Sequence, residues 1–275
     1  RVMAAKLGTK WAQSVIVENR GGAGGILGAD AVAKAKPDGY TLLIANVGIT
    51  SINPALYKSV GFDPVKDFAM VSTVTSYPMF ITVAPDSPMK TLPDYIARAK
   101  ANPGGVHYAS QGIGGGNHMA ALLLAKHAGT TMNHVPYQGA APALADVLAG
   151  HVDVMLDNAG NVVELIKAGK LRALGVTSEK RMEELPDTAA IAETFPEFVS
   201  TSWFGIVAPP KTPPMIVARI NAAVNEVFKA PDSAAQFANL KMTTVGGTPA
   251  QTAAFFQLER KRWGEVIRAA NITVH

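Results

Sequence analysis

The chain has no cysteine among its 275 residues, which excludes disulfide bonds, thiolate catalysis and cysteine-based zinc sites. Its longest apolar run, residues 119–125, is far shorter than the roughly 18 residues of a membrane-spanning helix. The lysines and arginines behind the net charge of +4 are scattered, and their densest cluster, at 259–262, is typical of a solvated helix face. These absences leave a globular protein with no predicted membrane span and no predicted nucleic-acid partner.

Apolar periodicity predicts alternating strands and helices, which indicates an α/β fold with parallel sheets covered on both faces. Thr248 and Pro249 form an N-cap and first-turn pair that predicts the start of the last long helix. The predicted strands are SVIVEN, YTLLIANV, GVHYAS, MNHVPY, VDVML and LRALGVTS, and the other predicted helices cover 26–36, 92–101, 118–127, 141–148 and 213–228.

Two extended segments interrupt this alternation, and two glycine loops that each open a helix suggest two similar lobes. The segments VTSYPMFITVAPDSP and STSWFGIVAPPKTPP both end in a proline-rich stretch, so we predict that they cross between the lobes as a hinge. Residues 1–82 and 205–275 then form a discontinuous lobe I, and residues 83–204 form lobe II.

The first predicted helix begins at Arg1, although a helix in a parallel α/β lobe follows a strand. We therefore expect an upstream strand, loop and helix start of about 25 to 30 residues. A signal peptide is also expected to have been removed or left out.

The glycine loop YASQGIGGGNHMA, residues 108–120, lies between a predicted strand and a predicted helix. It fails the dinucleotide fingerprint because Asn117 occupies the third glycine position and no acidic residue follows about 20 positions later. It fails the Walker pattern because Asn117, and not lysine, follows Gly116. A phosphate-bearing cofactor is therefore not predicted, and we expect no cofactor.

Ser110, His118 and Asp157 are the residue types of a hydrolytic triad. The nucleophile-elbow pattern fails, however, because Tyr108 stands where that pattern requires glycine. The histidines and carboxylates show no metal-ligand spacing, so a metal site is not predicted. Catalysis is accordingly not expected.

Anion capture by the backbone is the remaining chemistry for this loop. A helix N-terminus offers unpaired N–H groups and a partial positive charge, and glycines allow a small carboxylate to approach closely. Ser110 adds a hydroxyl donor. The alternative is that the glycines only make a tight turn between strand and helix.

Five blocks of the sequence together resemble one known family. They are VIVENRGGAGGILGADAVAKAKPDGYTLLIAN, INPALYKSVGFDPVKDF, HVPYQGAAPALADVLAGHVDVMLDN, IKAGKLRALGVTSEKR and SWFGIVAPPKTP. In this order they resemble the Bug-type solute-binding receptors of tripartite tricarboxylate transporters, over nearly the whole chain.

The resemblance implies a two-lobed periplasmic binding protein of type II-like fold, with the two crossing strands as hinge. It implies a periplasmic protein that captures a small carboxylate in an interlobe cleft and delivers it to the membrane permease subunits. The ligand is expected to be a dicarboxylate, an amino acid or an aromatic acid, and the protein to act as a monomer. The alternatives are a ligand-sensing receptor for signalling and a small-molecule enzyme of the same fold.

The resemblance also implies which residues face the ligand. Lobe II is expected to contribute Ser110, Gly112, Gly114, Gly115, His118, Asp157 and Asn158, and lobe I Asn46, Val47 and Gly48. His118 has a structural alternative as a helix-start residue, and Asp157 has one as a cap of backbone amides. Tyr77 is a further candidate because it lies on the predicted crossing strand, where it either lines the cleft or packs in the hinge.

Overall fold

The computed structural model describes residues 1–20, 23–57, 59–198 and 200–269, and the chain divides into two compact units. Unit 1 comprises Arg1–Ser76 and the chain from Trp203 onward, and unit 2 comprises Tyr77–Ser202. The chain thus passes from unit 1 to unit 2 after residue 76 and returns after residue 202.

Helices and strands alternate along most of the chain, which confirms the predicted α/β class. None of the helices within the described ranges is long and apolar enough to cross a membrane. The helices are α1 Val2–Trp11, α2 Ile26–Ala33, α3 Asn53–Leu56, α4 Leu92–Ala101, α5 Gly116–Ala128, α6 Ala140–Leu148, α7 Ala159–Lys167, α8 Pro214–Lys229, α9 Pro231–Asn239 and α10 Pro249–Ala269. The strands are β1 Leu43–Asn46, β2 Ala69–Tyr77, β3 Met79–Val83, β4 His107–Ser110, β5 Asn133–Pro136, β6 Val154–Asn158, β7 Arg172–Val176, β8 Ser202–Ala208 and β9 Thr243–Gly246.

Unit 2 is built on a five-stranded sheet in the order β5-β4-β6-β3-β7. β4 runs parallel to β5 and β6, as expected for strands connected through α5 and α6. β3 runs antiparallel to β6 and β7, so the prediction of parallel sheets is wrong here. Only Pro78 separates β2 from β3, and without a crossover helix nothing obliges β3 to run parallel to its neighbours.

Unit 1 contains a four-stranded sheet in the order β1-β8-β2-β9, in which the pairs β1/β8 and β2/β9 are antiparallel. The predicted strand SVIVEN is wrong, because residues 14–20 have no regular structure and Ile16 is 87% exposed. A β-branched run becomes a strand only where a neighbouring strand completes its hydrogen bonds, and none in the described sheet pairs with this segment.

The last two long helices, α8 and α10, each bury one apolar face in the core. In α8, Val217, Ile220, Val224 and Val227 are buried, while Ile216 and Phe228 are partly buried against them. In α10, the side chains of Phe256, Trp263 and Ile267 are buried. The 3.6-residue period therefore identified the buried stripe of both helices.

A reciprocal capping box starts α4. The Thr91 hydroxyl accepts the Asp94 backbone N–H at 3.3 Å, and the Asp94 carboxylate accepts the Thr91 N–H at 2.9 Å. We expect Thr91→Ala to lower the free energy of unfolding by about 1 kcal/mol, the usual effect of losing an N-cap. Urea unfolding measures the loss, and Thr91→Ser, which keeps the hydroxyl, should stay close to the original stability. Equal stability of the alanine and serine variants would contradict the prediction.

Candidate functional site

The glycine loop connects β4 to α5 in unit 2, as the sequence predicts. Gly112 and Gly114 have φ angles of 134° and 76°, a region that side chains with a Cβ rarely adopt. The Gly115 N–H donates to the Gly112 carbonyl at 3.3 Å, which closes the loop just before α5 begins. The glycines therefore do make the tight turn that the alternative interpretation proposed, and this geometry is compatible with a role in binding.

Ser110 ends β4, and its side chain is fully buried. Its Oγ lies 2.7 Å from His134 Nε2 and accepts the Gly112 N–H at 3.2 Å. The hydroxyl also lies 3.1 Å from the Gly112 carbonyl, to which it can donate. The hydroxyl is thus engaged inside unit 2 by the His134 imidazole and by the backbone of Gly112.

His118 lies in the first turn of α5 and is only 6% exposed. Its Nδ1 accepts the Gly114 backbone N–H at 3.2 Å, so the neutral ring carries its proton on Nε2. The His118 and His134 rings stack with centroids 3.9 Å apart, and the Tyr108 ring lies 4.9 Å from that of His134 with its plane nearly parallel.

Both imidazoles are neutral at neutral pH. Burial, with a smaller contribution from His134, lowers the pKa of His118 to about 3. Burial also lowers the pKa of His134 to about 4. Removing a side chain from water disfavours its charged form, which for histidine means a lower pKa. The loop is therefore lined by neutral rings.

Asp157 lies near the end of β6 and is fully buried. Its Oδ1 accepts three N–H groups: Gln111 Nε2 at 2.7 Å, the Asn158 backbone at 2.7 Å and Asn161 Nδ2 at 3.0 Å. Burial raises its pKa above the usual range for an aspartate, and these three donors partly oppose that rise. Its Oδ2 has no hydrogen-bond partner among the described residues.

Tyr77 and Asn158 lie close to Asp157 in unit 2. Burial raises the pKa of Tyr77 to about 12; a hydrogen bond with the Ser202 side chain opposes the rise, and the charge of Asp157 adds to it. Asn158 pairs with Met79 across β6 and β3 and immediately precedes α7. The bond from Gln111 to Asp157 links this group to the glycine loop.

The three candidates from lobe I lie together in unit 1. Asn46 ends β1, and its Oδ1 accepts the Ile49 N–H at 3.0 Å. Val47 and Gly48 are buried at the start of the π-helical turn Gly48–Ile52. The side chain of Asn46 therefore stabilises the turn that follows β1.

The first glycine loop, RGGAGG, was not predicted to bind ligand. Gly21 and Gly22 lie outside the described residues. The Gly24 carbonyl accepts Asn53 Nδ2 at 3.0 Å, and a Cβ on Gly25 would lie 3.0 Å from the Ile49 side chain. This loop packs against the turn at 48–53, consistent with a structural role.

The described polar contacts do not assemble a hydrolytic triad. Ser110 pairs with His134 and not with His118, and the partners of the Asp157 carboxylate are amide N–H groups and no imidazole. Stacked, nearly parallel imidazoles direct their nitrogen lone pairs along separate planes, so His118 and His134 are not arranged to share one metal ion. Across the described ranges, no group of three or more potential metal ligands is clustered.

Three polar residues of this region are absent from the predicted set: His134, Gln111 and Asn161. His134 could have been found from the strand pattern, because parallel neighbours align and the register places it opposite Tyr108. Gln111 lies inside the glycine loop and Asn161 four residues after Asp157 on α7, but no local motif distinguishes either of them.

A family model described as "Tripartite tricarboxylate transporter family receptor" matches residues 1–272 of the chain. The chain belongs to this receptor family. The receptor is 36% identical over 270 residues to the protein BugT of Bordetella pertussis, which covers 98% of this chain and 83% of the relative. The predicted family is therefore confirmed.

Solved structures agree with this assignment. A protein of R. palustris solved with adipate is 32% identical and superposes with a TM-score of 0.94, covering 99% of the receptor and 92% of that chain. MatC of Rhodopseudomonas palustris, solved with bound malate, is 30% identical with a TM-score of 0.90, covering 97% and 92%. The predicted periplasmic-binding-protein fold and the solute-binding function are confirmed.

Proposed function

We propose that this receptor captures a small dicarboxylate or related acid in the periplasm and delivers it to the membrane permease of a tripartite tricarboxylate transporter, without chemical turnover. The observation that carries the proposal is that two structures of the same fold, each at least 30% identical, hold adipate and malate. Among the residues that the structure describes, no serine–histidine–aspartate arrangement forms around Ser110, and this supports binding over catalysis.

The glycine loop is the proposed carboxylate-binding element of unit 2. Within it the N–H groups of Gly112, Gly114 and Gly115 already bond to Ser110, His118 and the Gly112 carbonyl. Helix geometry leaves the first N–H groups of α5, on residues 116–118, without intrahelical partners, and they carry the positive end of the helix dipole. We therefore assign the carboxylate contact to these amides, with the glycines shaping the approach.

The residues around Asp157 form the second part of the proposed site. A ligand carboxylate at the start of α5 meets no lysine or arginine in the loop, so its charge is balanced by backbone N–H groups. Asp157 Oδ2 is an acceptor, and it fits a ligand that carries a hydroxyl or ammonium group beside its carboxylate. Asn46, Val47, Gly48 and Tyr77 stay candidate ligand contacts.

Calorimetry and thermal unfolding of the receptor with adipate, malate and succinate test the proposal. We expect micromolar binding, because three or four hydrogen bonds to a charged group contribute roughly 1.5 to 3 kcal/mol each. At a ligand concentration of about 100 times Kd, the free energy of unfolding should rise by about 2.7 kcal/mol.

A matched control and a product assay accompany these titrations. Thr91→Ala, which removes the cap of α4, should bind the same acids with unchanged affinity. Proton NMR of the ligand after long incubation should show the same acid at the same concentration. Steady loss of the acid would show that the protein is an enzyme and would contradict binding without turnover. No response to any of the carboxylates would refute the proposed ligand class.

A further inference from the structure

His134 is outside the predicted set of ligand residues, yet its side chain contacts Ser110 at the start of the glycine loop and His118 at its end. It pairs in register with Tyr108 of the neighbouring strand, and its ring stacks on both Tyr108 and His118. The centroid distances are 4.9 Å to Tyr108 and 3.9 Å to His118, while Tyr108 and His118 are 6.3 Å apart. The three centroids form a triangle in which His134 is the ring nearest to both others.

The two imidazoles of the stack each bond to a different point of the loop. His134 Nε2 lies 2.7 Å from Ser110 Oγ, where the loop begins. His118 Nδ1 accepts the N–H of Gly114, four residues further along. Because the two rings are in van der Waals contact, the position of one limits the position of the other, and both ends of the loop are held together.

A loop this rich in glycine needs such restraints. Gly112, Gly114, Gly115 and Gly116 lie within five consecutive residues, and glycine loses more backbone freedom on ordering than any other residue. Besides the two bonds to the imidazoles, the loop is restrained by the bond from Gln111 Nε2 to Asp157 Oδ1 at 2.7 Å. A loop that is ordered before the ligand arrives does not spend binding energy on ordering.

We propose that His134 is a positioning residue, which contacts no ligand itself and holds the glycine loop in its binding conformation through Ser110 and the stacked His118. This inference rests on the proposed binding of a carboxylate by the loop. Ser110 takes part in this positioning, because its hydroxyl connects the His134 imidazole to the loop backbone at Gly112.

Two substitutions separate the hydrogen bond of His134 from its stacking. His134→Phe keeps an aromatic ring against Tyr108 and His118 but removes the bond to Ser110. His134→Gln keeps a polar group able to reach Ser110 but removes the ring. His107→Phe, an exposed histidine at the other end of β4, is the matched control and should leave binding unchanged.

The binding experiment uses malate with calorimetry and stopped-flow kinetics. We expect His134→Phe to weaken malate binding about five- to tenfold through a slower association rate, because only a fraction of the molecules then holds a competent loop. The dissociation rate should change little. Ser110→Ala should weaken binding less in the His134→Phe background than in the original protein, since the bond between the two residues is already lost and only the contacts of Ser110 with Gly112 remain to be removed.

A ligand-free measurement tests the loop independently of the ligand. In the original protein, nitrogen NMR should show His118 with a hydrogen-bonded Nδ1 acceptor and a proton on Nε2. In His134→Phe and His134→Gln the Nδ1 resonance should move towards that of a free imidazole, because the bond to Gly114 loosens. If the original protein bound no carboxylate, the proposed function would fail while this measurement still decided the role of His134.

Two results would overturn the inference. One is unchanged malate affinity together with an unchanged His118 resonance in both His134 variants. The other is weaker binding that comes entirely from faster dissociation and adds fully to the effect of Ser110→Ala, since that pattern belongs to a residue that touches the ligand.

Discussion

The free energy of unfolding is expected to fall by about 1.4 kcal/mol for each pH unit from about pH 6.5 down to about pH 4 because of His118 alone. The folded protein holds the pKa of His118 at about 3, against an ordinary value of 6.5. Between those two values the unfolded chain takes up a proton that the folded protein does not. The contribution of His118 to the free energy of unfolding is therefore fully present above about pH 6.5 and is lost progressively as the pH falls.

Other groups modify this curve in known directions. His134, with its pKa lowered to about 4, adds a decrease in the same window, although it is half-buried and water reduces its contribution. Asp157 acts in the opposite direction, because its folded pKa is raised and acid relieves the cost of burying its charge. Exposed Glu193, with its pKa lowered to about 2, loses its contribution only at lower pH.

Urea unfolding at half-unit steps of pH, compared between the original protein and His118→Gln, isolates the histidine. The glutamine carbonyl can still accept the Gly114 N–H but does not titrate in this range. The difference between the two curves cancels the contribution of Asp157, which both proteins contain. It should rise by about 1.4 kcal/mol per pH unit from about pH 4 to about pH 6.5. Parallel curves would show that His118 is not buried as a neutral imidazole.

Asp157→Asn is expected to change which acids the receptor prefers. Malate and succinate differ by one hydroxyl, and in the proposed site Asp157 Oδ2 is the acceptor that fits this hydroxyl. The original protein should therefore bind malate more tightly than succinate. Asparagine keeps the shape but presents an N–H donor in place of this acceptor, so malate should lose about 1.5 to 3 kcal/mol, roughly ten- to a hundredfold in Kd. Succinate should gain, because a buried negative charge near its carboxylates is removed.

Calorimetric titrations of both acids against both proteins give the ratio of the two dissociation constants. Asp153→Asn is the matched control: this carboxylate lies four residues earlier, pairs with Arg98 and His107, and should leave the ratio unaltered. An unchanged malate-to-succinate ratio in Asp157→Asn would place Asp157 outside the ligand site and leave it with its three amide contacts as a structural residue.

Local sequence patterns were sufficient where every determinant of an element lies within the element. Helix α4 begins and ends where predicted, at Leu92 and Ala101, because its capping box, its N-terminal proline and its apolar period all lie within or beside its ten residues. Helix α5 begins two residues before the predicted His118, because glycine carries no helix signal. The strand predicted at SVIVEN failed because strand formation depends on a partner elsewhere in the chain.

The sequence by itself determined the α/β class, the position of the glycine loop, the absence of nucleotide and metal motifs, and the receptor family. Only the tertiary structure decided that β3 runs antiparallel to its neighbours, that Ser110 bonds to His134, and that Asp157 accepts a hydrogen bond from Gln111 of the glycine loop. Periodicity and caps are local properties and can be read along the chain. Strand direction and buried hydrogen bonds depend on which distant residues meet, since a buried polar atom takes whichever partner packing brings within reach.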